Sequence, residues 1–155
     1  MTNSEIVSMV GFAIGDEEFC LDILKVQEII RLVEITRIPK SPDYVEGVIN
    51  LRGNVIPIFD FRKRCGIFGD TELEQQHKRI VVTSVGERTI GLIVDKVSQV
   101  RKLVQNEITC TPSAVKGFNS DFISGVGKDG EKLLIILNLE ELITQGELAG
   151  LEQAA

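Results

Sequence analysis

Histidine, cysteine and tryptophan are scarce in this 155-residue sequence, and their scarcity limits its chemistry. His77 is the single histidine, so any site that needs two imidazoles from this chain is excluded. Cys20, Cys65 and Cys110 are far apart and form no CxxC motif, which argues against a zinc site and against a disulfide framework. We therefore expect reduced thiols, as in a cytoplasmic protein, and no bound metal.

Positive charge and long apolar runs are also scarce. The chain has 17 Lys and Arg residues against 23 Asp and Glu, and its densest basic run is Arg62–Arg64. Nucleic-acid binding and docking on anionic lipid both need a clustered cationic face, so neither is expected. No stretch approaches the ~18 apolar residues of a membrane span, and the N-terminus lacks the pattern of a signal peptide.

The overall balance of residues is that of one globular domain. Hydrophobic residues make up 43% and charged residues 26% of the chain. A chain of this length buries about two thirds of its surface on folding, so a core without disulfides or metals is expected. We therefore treat residues 1–155 as a single domain.

The sequence repeats itself. Residues 14–32 (IGDEEFCLDILKVQEIIRL) align without gaps to residues 85–103 (VGERTIGLIVDKVSQVRKL) at an offset of 71. Two more pairs of segments match at an offset of 78: 44–49 with 122–127, and 55–61 with 133–139. Because the order of elements recurs, we infer a duplicated small domain, with halves at roughly 14–66 and 79–143. Residues 144–155 are predicted to form a helical or frayed tail.

The local pattern in both halves is that of β-hairpins around glycine turns. The predicted hairpins cover four segments: 7–23, 45–61, 80–94 and 123–139. One helical turn is predicted near residues 23–25, and apolar spacing from Leu139 onward predicts a short, interrupted C-terminal helix. Pro57 has no N–H to donate, so its strand should lie at an edge or a bulge. These features predict an all-β fold of two similar small barrels.

No catalytic constellation is evident in the sequence. His77 lies in a polar joint between the halves and is predicted to be solvated; a phosphoacceptor histidine would sit on a helix, and none is predicted there. Glu17 and Glu18 fit a solvated turn better than a catalytic pair, and Cys20 fits the interior of a strand. We therefore predict that the protein is not an enzyme.

One turn distinguishes the two halves. The first half carries Arg52 there, whereas the second half has a Gly/Lys/Asp turn at 127–130. The guanidinium of arginine offers five donors in a rigid fork, suited to a carboxylate or to several carbonyls; the alternative is an ordinary surface ion pair. Glu28 stands in an aliphatic run, where it either points outward or holds Arg52.

These segments resemble the CheW family of bacterial chemotaxis coupling proteins. The opening hairpin at 15–29 is similar to that of the family, and the block at 35–53, which ends in GVINLRG, is its most distinctive part. Further segments that fit lie at 55–62, 79–82, 91–95 and 133–138. The resemblance covers about residues 8–143.

The resemblance implies two intertwined SH3-like five-stranded β-barrels with a short C-terminal helix, without catalytic activity or cofactor. It implies a cytoplasmic adaptor that links the cytoplasmic tips of chemoreceptors to the regulatory domain of the histidine kinase CheA. The protein would be a monomer alone, would assemble in arrays with these partners, and would not itself insert into the membrane.

The resemblance marks Val26, Glu28, Gly47, Arg52 and Gly53 as positions important for coupling, and we assign the other residues to the two surfaces from their place in the sequence. The predicted receptor-binding and coupling residues are Val26, Glu28, Ile29, Ile30, Arg52, Val97 and Val100. The predicted kinase-binding residues are Val55, Pro57, Ile58 and Phe59. For the aliphatic groove residues, plain barrel core is the alternative. Gly47 and Gly53 are expected to matter through their backbone angles.

Two other functions stay open at the level of sequence. One is an adaptor of the same fold in a twitching, gliding or developmental chemosensory system. The other is a barrel that binds a small ligand, or an enzyme, which would need polar groups that converge in a pocket. Only Glu28 and Arg52 are candidates for such a group.

Overall fold

The computed structural model describes residues 5–15, 17–65, 76–110, 123–130 and 132–142. The strands in these ranges are β1 (Ile6–Ile14), β2 (Glu17–Asp22), β3 (Val26–Arg31), β4 (Val45–Leu51), β5 (Asn54–Asp60), β6 (Arg79–Val85), β7 (Arg88–Val94), β8 (Lys96–Val104), β9 (Thr109–Cys110), β10 (Ile123–Asp129) and β11 (Lys132–Leu137). Short helices are α1 (Phe61–Cys65) and α2 (Leu139–Leu142). The four predicted hairpins are confirmed, as is the helical turn at Ile23–Lys25. The predicted C-terminal helix begins at Leu139, and its continuation lies outside the described residues.

The described strands form two sheets, and each sheet mixes strands from both halves. Sheet I has the order β8-β1-β2-β11-β10-β9, and sheet II has the order β3-β6-β7-β5-β4. Parallel pairs, β2 with β11 and β5 with β7, join the halves within each sheet. The segments 14–66 and 79–143 therefore do not each form a barrel. The first hairpin of each half pairs with strands of the other half. It is therefore part of the other half's barrel.

This exchange of hairpins is reciprocal, so the two barrels have equivalent pairings. The extra strand of sheet I, β9, has only two residues and pairs with β10. Its counterpart in sheet II is the single bridge between Thr36 and Val48. Apart from that short strand, each sheet has the five strands that were predicted.

The hydrophobic residues form three clusters that follow from the strand alternation. One cluster contains residues of both sheets, including Phe12, Phe19 and Phe61, whose rings lie 4.9–5.9 Å apart. We call it the shared core. The other two clusters fill the barrel interiors: Ile49, Ile56, Ile58, Ile80, Val82 and Ile93 in sheet II, and Met9, Cys20, Leu103, Leu134 and Ile136 in sheet I. Hence successive residues of a strand point alternately to the shared core and to a barrel interior.

Cys20 and Pro57 lie in strands, as expected from sequence. Cys20 is fully buried in sheet I, and burial is the main cause that raises the pKa of its thiol to about 12. Pro57 lies on β5, which is an inner strand rather than an edge strand. However, β5 pairs with β7 only from Ile58 onward, so at Pro57 the strand has β4 as its single neighbour. The missing N–H therefore breaks no pairing.

Candidate partner-binding site

Arg52 lies at a strained position of the β4–β5 turn. Leu51 pairs with Asn54, so Arg52 and Gly53 form a two-residue loop, and their φ angles are 51° and 88°. Two positive φ angles are typical of a type I′ turn, in which asparagine and glycine are the favoured residues. The Gly53 N–H donates to Asn50 Oδ1 at 2.9 Å, which supports the turn. An arginine side chain in this conformation has a steric cost, and such strain is concentrated at functional sites.

The Arg52 guanidinium binds Glu28 through both of its terminal nitrogens. Arg52 Nη1 donates to Glu28 Oε1 at 3.2 Å, and Nη2 donates to Oε2. The hydrogen bond from Arg52 is the main cause that lowers the pKa of Glu28, and the same bond raises the pKa of Arg52. Glu28 lies on β3 and Arg52 follows β4, so the pair joins the two outer strands of sheet II. The predicted association of the two residues is thus found in the structure.

This ion pair is largely exposed. The exposed fraction of the side chain is 69% for Arg52 and 28% for Glu28. Exposed ion pairs contribute little to stability because water screens them and the side chains lose entropy. Stability alone therefore explains neither the strained backbone nor the arginine, and the pair presents a fixed charged group at the surface.

Four of the predicted groove residues form two equivalent pairs. Val26 of β3 and Val97 of β8 match at the repeat offset, are partly buried, and both pack against the shared core. Ile29 and Val100 match in the same way, with exposed fractions of 39% and 51%. Val26 and Val97 therefore contribute part of their side chains to the core, as the alternative expected. Ile29 and Val100 present apolar surface to solvent.

Ile30 lies on the opposite face of β3 from Ile29. It lies opposite Ile80 on β6 and packs against the interior cluster of sheet II. Ile29, one residue earlier, lies opposite Val81 of the shared core. Strand alternation directs its partly buried side chain toward the barrel interior, and its predicted role as a groove residue stays a prediction.

The predicted kinase-binding hairpin divides in the same manner. Val55 has an exposed fraction of 63%, and Pro57 is partly buried. Ile58 and Phe59 are fully buried, Ile58 in the interior of sheet II and Phe59 in the shared core beside Tyr44. Ile58 and Phe59 therefore cannot contact a partner directly. Their buried side chains fix the position of the hairpin on the fold.

Gly47 and Gly53 both have positive φ angles, as expected, but for different reasons. Gly47 has φ 145°, and a Cβ there would collide with the carbonyl of Thr36, which forms the bridge to Val48. Gly53 has φ 88° and nothing within 4 Å of an added Cβ. Gly47 is thus needed for packing and backbone conformation, and Gly53 for backbone conformation alone.

Sequence reasoning missed an ion pair that joins the halves. Arg62 of α1 donates to the Asp95 carboxylate from Nε (3.0 and 3.1 Å) and Nη2 (2.6 Å), and the Gly15 N–H donates to it at 2.8 Å. Burial acts to raise the pKa of Asp95, but these hydrogen bonds outweigh it and hold the pKa below its ordinary value. The partners are 33 and 80 residues apart, so no local signal marks them.

The prediction that Glu18 lies in a solvated turn is wrong. Glu18 lies on β2 with an exposed fraction of 18%, and it accepts hydrogen bonds from Arg101 at 2.8 Å and Ser98 at 3.1 Å. Burial acts to raise its pKa, and hydrogen bonds from Arg101 and Ser98 lower it overall. Glu17 and His77 are exposed, as predicted.

The described residues offer neither a metal centre nor a membrane span. Within these ranges no group of three or more His, Cys, Asp or Glu side chains is placed to hold a metal ion. None of the helices among them is long and apolar enough to cross a membrane. What the site presents is an exposed ion pair beside apolar strand surfaces.

A family model of the CheW-like domain matches residues 8–147. The chain belongs to the CheW-like family. Chemotaxis protein CheW of Klebsiella aerogenes is 35% identical over 144 residues, which cover 93% of this chain and 86% of the relative. Chemotaxis protein CheW of Rhizobium meliloti is 36% identical over 139 residues, which cover 90% and 88%.

A solved structure shows the same fold. The crystal structure of the scaffolding protein TtCheW from Thermoanaerobacter tengcongensis matches with a TM-score of 0.85 and 34% identity, over 92% of this chain and 96% of that chain. The predicted fold of two intertwined SH3-like barrels is confirmed. The exposed Glu28–Arg52 pair is therefore carried on a CheW-like scaffold.

Proposed function

We propose that this chain is a non-catalytic chemotaxis adaptor that couples chemoreceptor tips to the regulatory domain of a CheA-type histidine kinase. The observation that carries the proposal is the bidentate Glu28–Arg52 pair on a strained, exposed turn of a CheW-like fold. Relatives named as chemotaxis proteins and a structural relative described as a scaffolding protein support it. The protein would work in the cytoplasm and reach membrane-anchored arrays through its partners.

The receptor would bind along the outer strands that bear Val26, Ile29, Val97 and Val100. These aliphatic side chains are partly exposed next to the shared core, so a helical tip with an apolar face would bury them. Apolar burial contributes about 25 cal/mol per Å², from which the ordering costs are subtracted. Glu28 precedes Ile29 but lies on the opposite face of β3, with Ile30, so together with Arg52 it would form a polar contact separate from the apolar one.

The kinase regulatory domain would bind the β4–β5 hairpin through Val55 and Pro57. Val55 is among the most exposed aliphatic residues of the described chain. Pro57 removes one backbone donor and so discourages unspecific strand pairing. Ile58 and Phe59 anchor the hairpin in the interior of the fold, which keeps Val55 in place.

Calorimetric titration with two probes tests the proposal. The probes are the regulatory domain of a CheA-type kinase and a cytoplasmic receptor tip fragment, both from the same organism. We expect micromolar binding of both, and a loss of at least about tenfold for one probe with Arg52→Ala. Lys128→Ala is the matched control, since Lys128 lies near the turn of the other hairpin. A folded wild-type protein that binds neither probe contradicts the proposal.

Substitutions of Val55 and Leu133 test whether the kinase domain binds the β4–β5 hairpin specifically or binds any exposed aliphatic residue. The two residues occupy equivalent positions in the two halves, with exposed fractions of 63% and 62%. We expect Val55→Ser to weaken binding of the regulatory domain and Leu133→Ser to leave it within about twofold. Equal losses in both variants would refute the assignment of the kinase surface to the β4–β5 hairpin.

A further inference from the structure

Two arginines face each other across neighbouring strands of sheet II. Arg31, the last residue of β3, lies directly opposite Arg79, the first residue of β6. Like charges in directly opposite positions destabilise a sheet. The residues around them form an open concavity of about 530 Å³, lined by Arg31, Leu32, Gln76, His77, Lys78 and Arg79. The sequence shows no clustered cationic face, but strand pairing assembles one. We call Arg31, Lys78 and Arg79 the cationic cluster.

The described part of the chain does not neutralise this cluster. Neither Arg31 nor Arg79 forms an ion pair with any carboxylate there. Arg79 Nη1 donates to the carbonyls of Gln76 at 3.0 Å and Lys78 at 2.8 Å, which holds the guanidinium in one place. Asp95 interacts electrostatically with Lys78, but its carboxylate is already bound by Arg62. Among the described residues, the two arginines of the cluster thus have no carboxylate partner, in a chain of net charge −6.

The cluster is continuous with the proposed receptor surface. Side chains two residues apart on a strand share a face, so Arg31 points to the same side as Ile29, about 7 Å further along β3. The pairing agrees, since Ile29 lies opposite Val81 and Arg31 lies opposite Arg79. A helix that covers Ile29 and continues along the strand therefore passes the cationic cluster.

We propose that the cationic cluster receives a carboxylate-rich segment of the receptor tip, next to the apolar contact at Ile29. This inference rests on the proposed receptor coupling and adds the chemistry of the partner. The guanidinium forks of Arg31 and Arg79 suit carboxylates, which they bind through paired hydrogen bonds. The repulsion between the two arginines destabilises the free protein. When acidic groups lie between them, both arginines gain a favourable contact. Such a contact speeds association and weakens as salt rises.

The other barrel supplies a matched control. Lys102 is the repeat equivalent of Arg31, is exposed, and lies on β8 opposite Ser8 instead of a second cation. Replacement of Lys102 by glutamate changes the net charge of the protein by the same amount as replacement of Arg31. The two variants therefore differ in the place of the charge and not in its total.

The test compares Arg31→Glu, Arg79→Glu and Lys102→Glu in calorimetric binding to the receptor tip fragment at low and high salt. We expect the Kd of Arg31→Glu and Arg79→Glu to rise about tenfold at low salt, with a smaller difference at high salt. Arg31→Glu also replaces a repulsive cross-strand pair by an attractive one, so its Tm should rise by about 1–3 °C, whereas Arg79→Glu in addition loses the hydrogen bonds to the Gln76 and Lys78 carbonyls. Lys102→Glu should change the Kd by less than about twofold.

The outcomes separate this inference from the proposed function. A wild-type protein that binds the kinase domain but no receptor tip defeats the receptor coupling itself. Wild-type receptor binding that Arg31→Glu and Arg79→Glu leave unchanged overturns only the role of the cationic cluster. Loss of kinase binding alone also overturns it, because the cluster would then serve another partner.

Discussion

The hairpins β4–β5 and β10–β11 occupy equivalent places in the two barrels, yet their two-residue turns carry different residues. Both begin their second strand with an exposed aliphatic residue, Val55 or Leu133. The first turn carries Arg52 at φ 51°, and the equivalent position of the second is Gly130 at φ 66°. The exposed aliphatic residue therefore recurs in both halves, whereas the arginine is present only in the first half. A site that depends on Arg52 therefore makes the two barrels functionally unequal.

The comparison extends to the ion pairs that involve the short helices. Arg62 of α1 binds Asp95, with side-chain exposed fractions of 12% and 15%. At the equivalent position of α2, Glu140 binds Lys25 at 3.2 Å, and both side chains are 45% exposed. The same place in the fold thus holds a largely buried pair in one barrel and a more exposed pair in the other, in which the helix carries the anion instead of the cation. Two predictions compare matched positions directly, and two more test single members of these sites.

The largest effect is expected at the glycines that lie opposite threonine carbonyls. An added Cβ collides with the Thr36 carbonyl at Gly47, where φ is 145°, and lies 2.7 Å from the Thr109 oxygen at Gly125. We expect Gly47→Ala to lower the free energy of unfolding by about 3–4 kcal/mol and Gly125→Ala by about 1–2 kcal/mol. Urea denaturation measures both. Equal losses would show that the positive φ of Gly47 adds no strain.

The next effect distinguishes the two helix-linked ion pairs. Arg62→Ala leaves the Asp95 carboxylate without its main partner in a place mostly shielded from water. We expect a loss of about 2–3 kcal/mol in the free energy of unfolding, against less than about 1 kcal/mol for Lys25→Ala. Thermal and urea denaturation of the two variants, side by side, check the order. Similar losses would mean that exposure does not govern these pairs.

Acidification should expose the same asymmetry. The pKa of Asp95 in the folded protein lies below its ordinary value, so the ionised carboxylate favours folding. Its contribution is complete above the ordinary aspartate pKa of about 3.9 and is lost as the pH falls through the lower folded-state pKa. We expect wild type to lose more stability than Asp95→Asn between about pH 5 and pH 2. Parallel curves of stability against pH would contradict this.

The smallest effect on stability is expected at Arg52. Arg52→Gly removes an exposed ion pair and also relieves the left-handed strain, so the two changes oppose each other. We expect the Tm to stay near that of wild type while binding of at least one partner is lost. Thermal denaturation beside calorimetry checks this, with Gly53→Ala as a control that strains the same turn but keeps the guanidinium. A large fall in Tm would make Arg52 a structural residue.

Features that depend on neighbours in the chain were predictable from sequence. Glycine turns, alternating apolar residues and the repeat located four hairpins and one helical turn, because such signals act over about ten residues. The unusual Arg52 and Glu28 were recognised for the same reason, since each departs from its local or repeated context. Phe61 was placed in a strand but begins α1, an error of one residue at an element boundary.

The sequence by itself thus determined the hairpins, the duplication, the family and the two residues of the Glu28–Arg52 pair. Only the tertiary structure decided which barrel each hairpin joins and which face each aliphatic side chain takes. It turned Ile30, Ile58 and Phe59 inward, brought Arg62 to Asp95, and placed Arg31 opposite Arg79. The physical reason is that register and strand exchange depend on pairing between residues distant in the chain, and a shift of one residue reverses the face of every side chain.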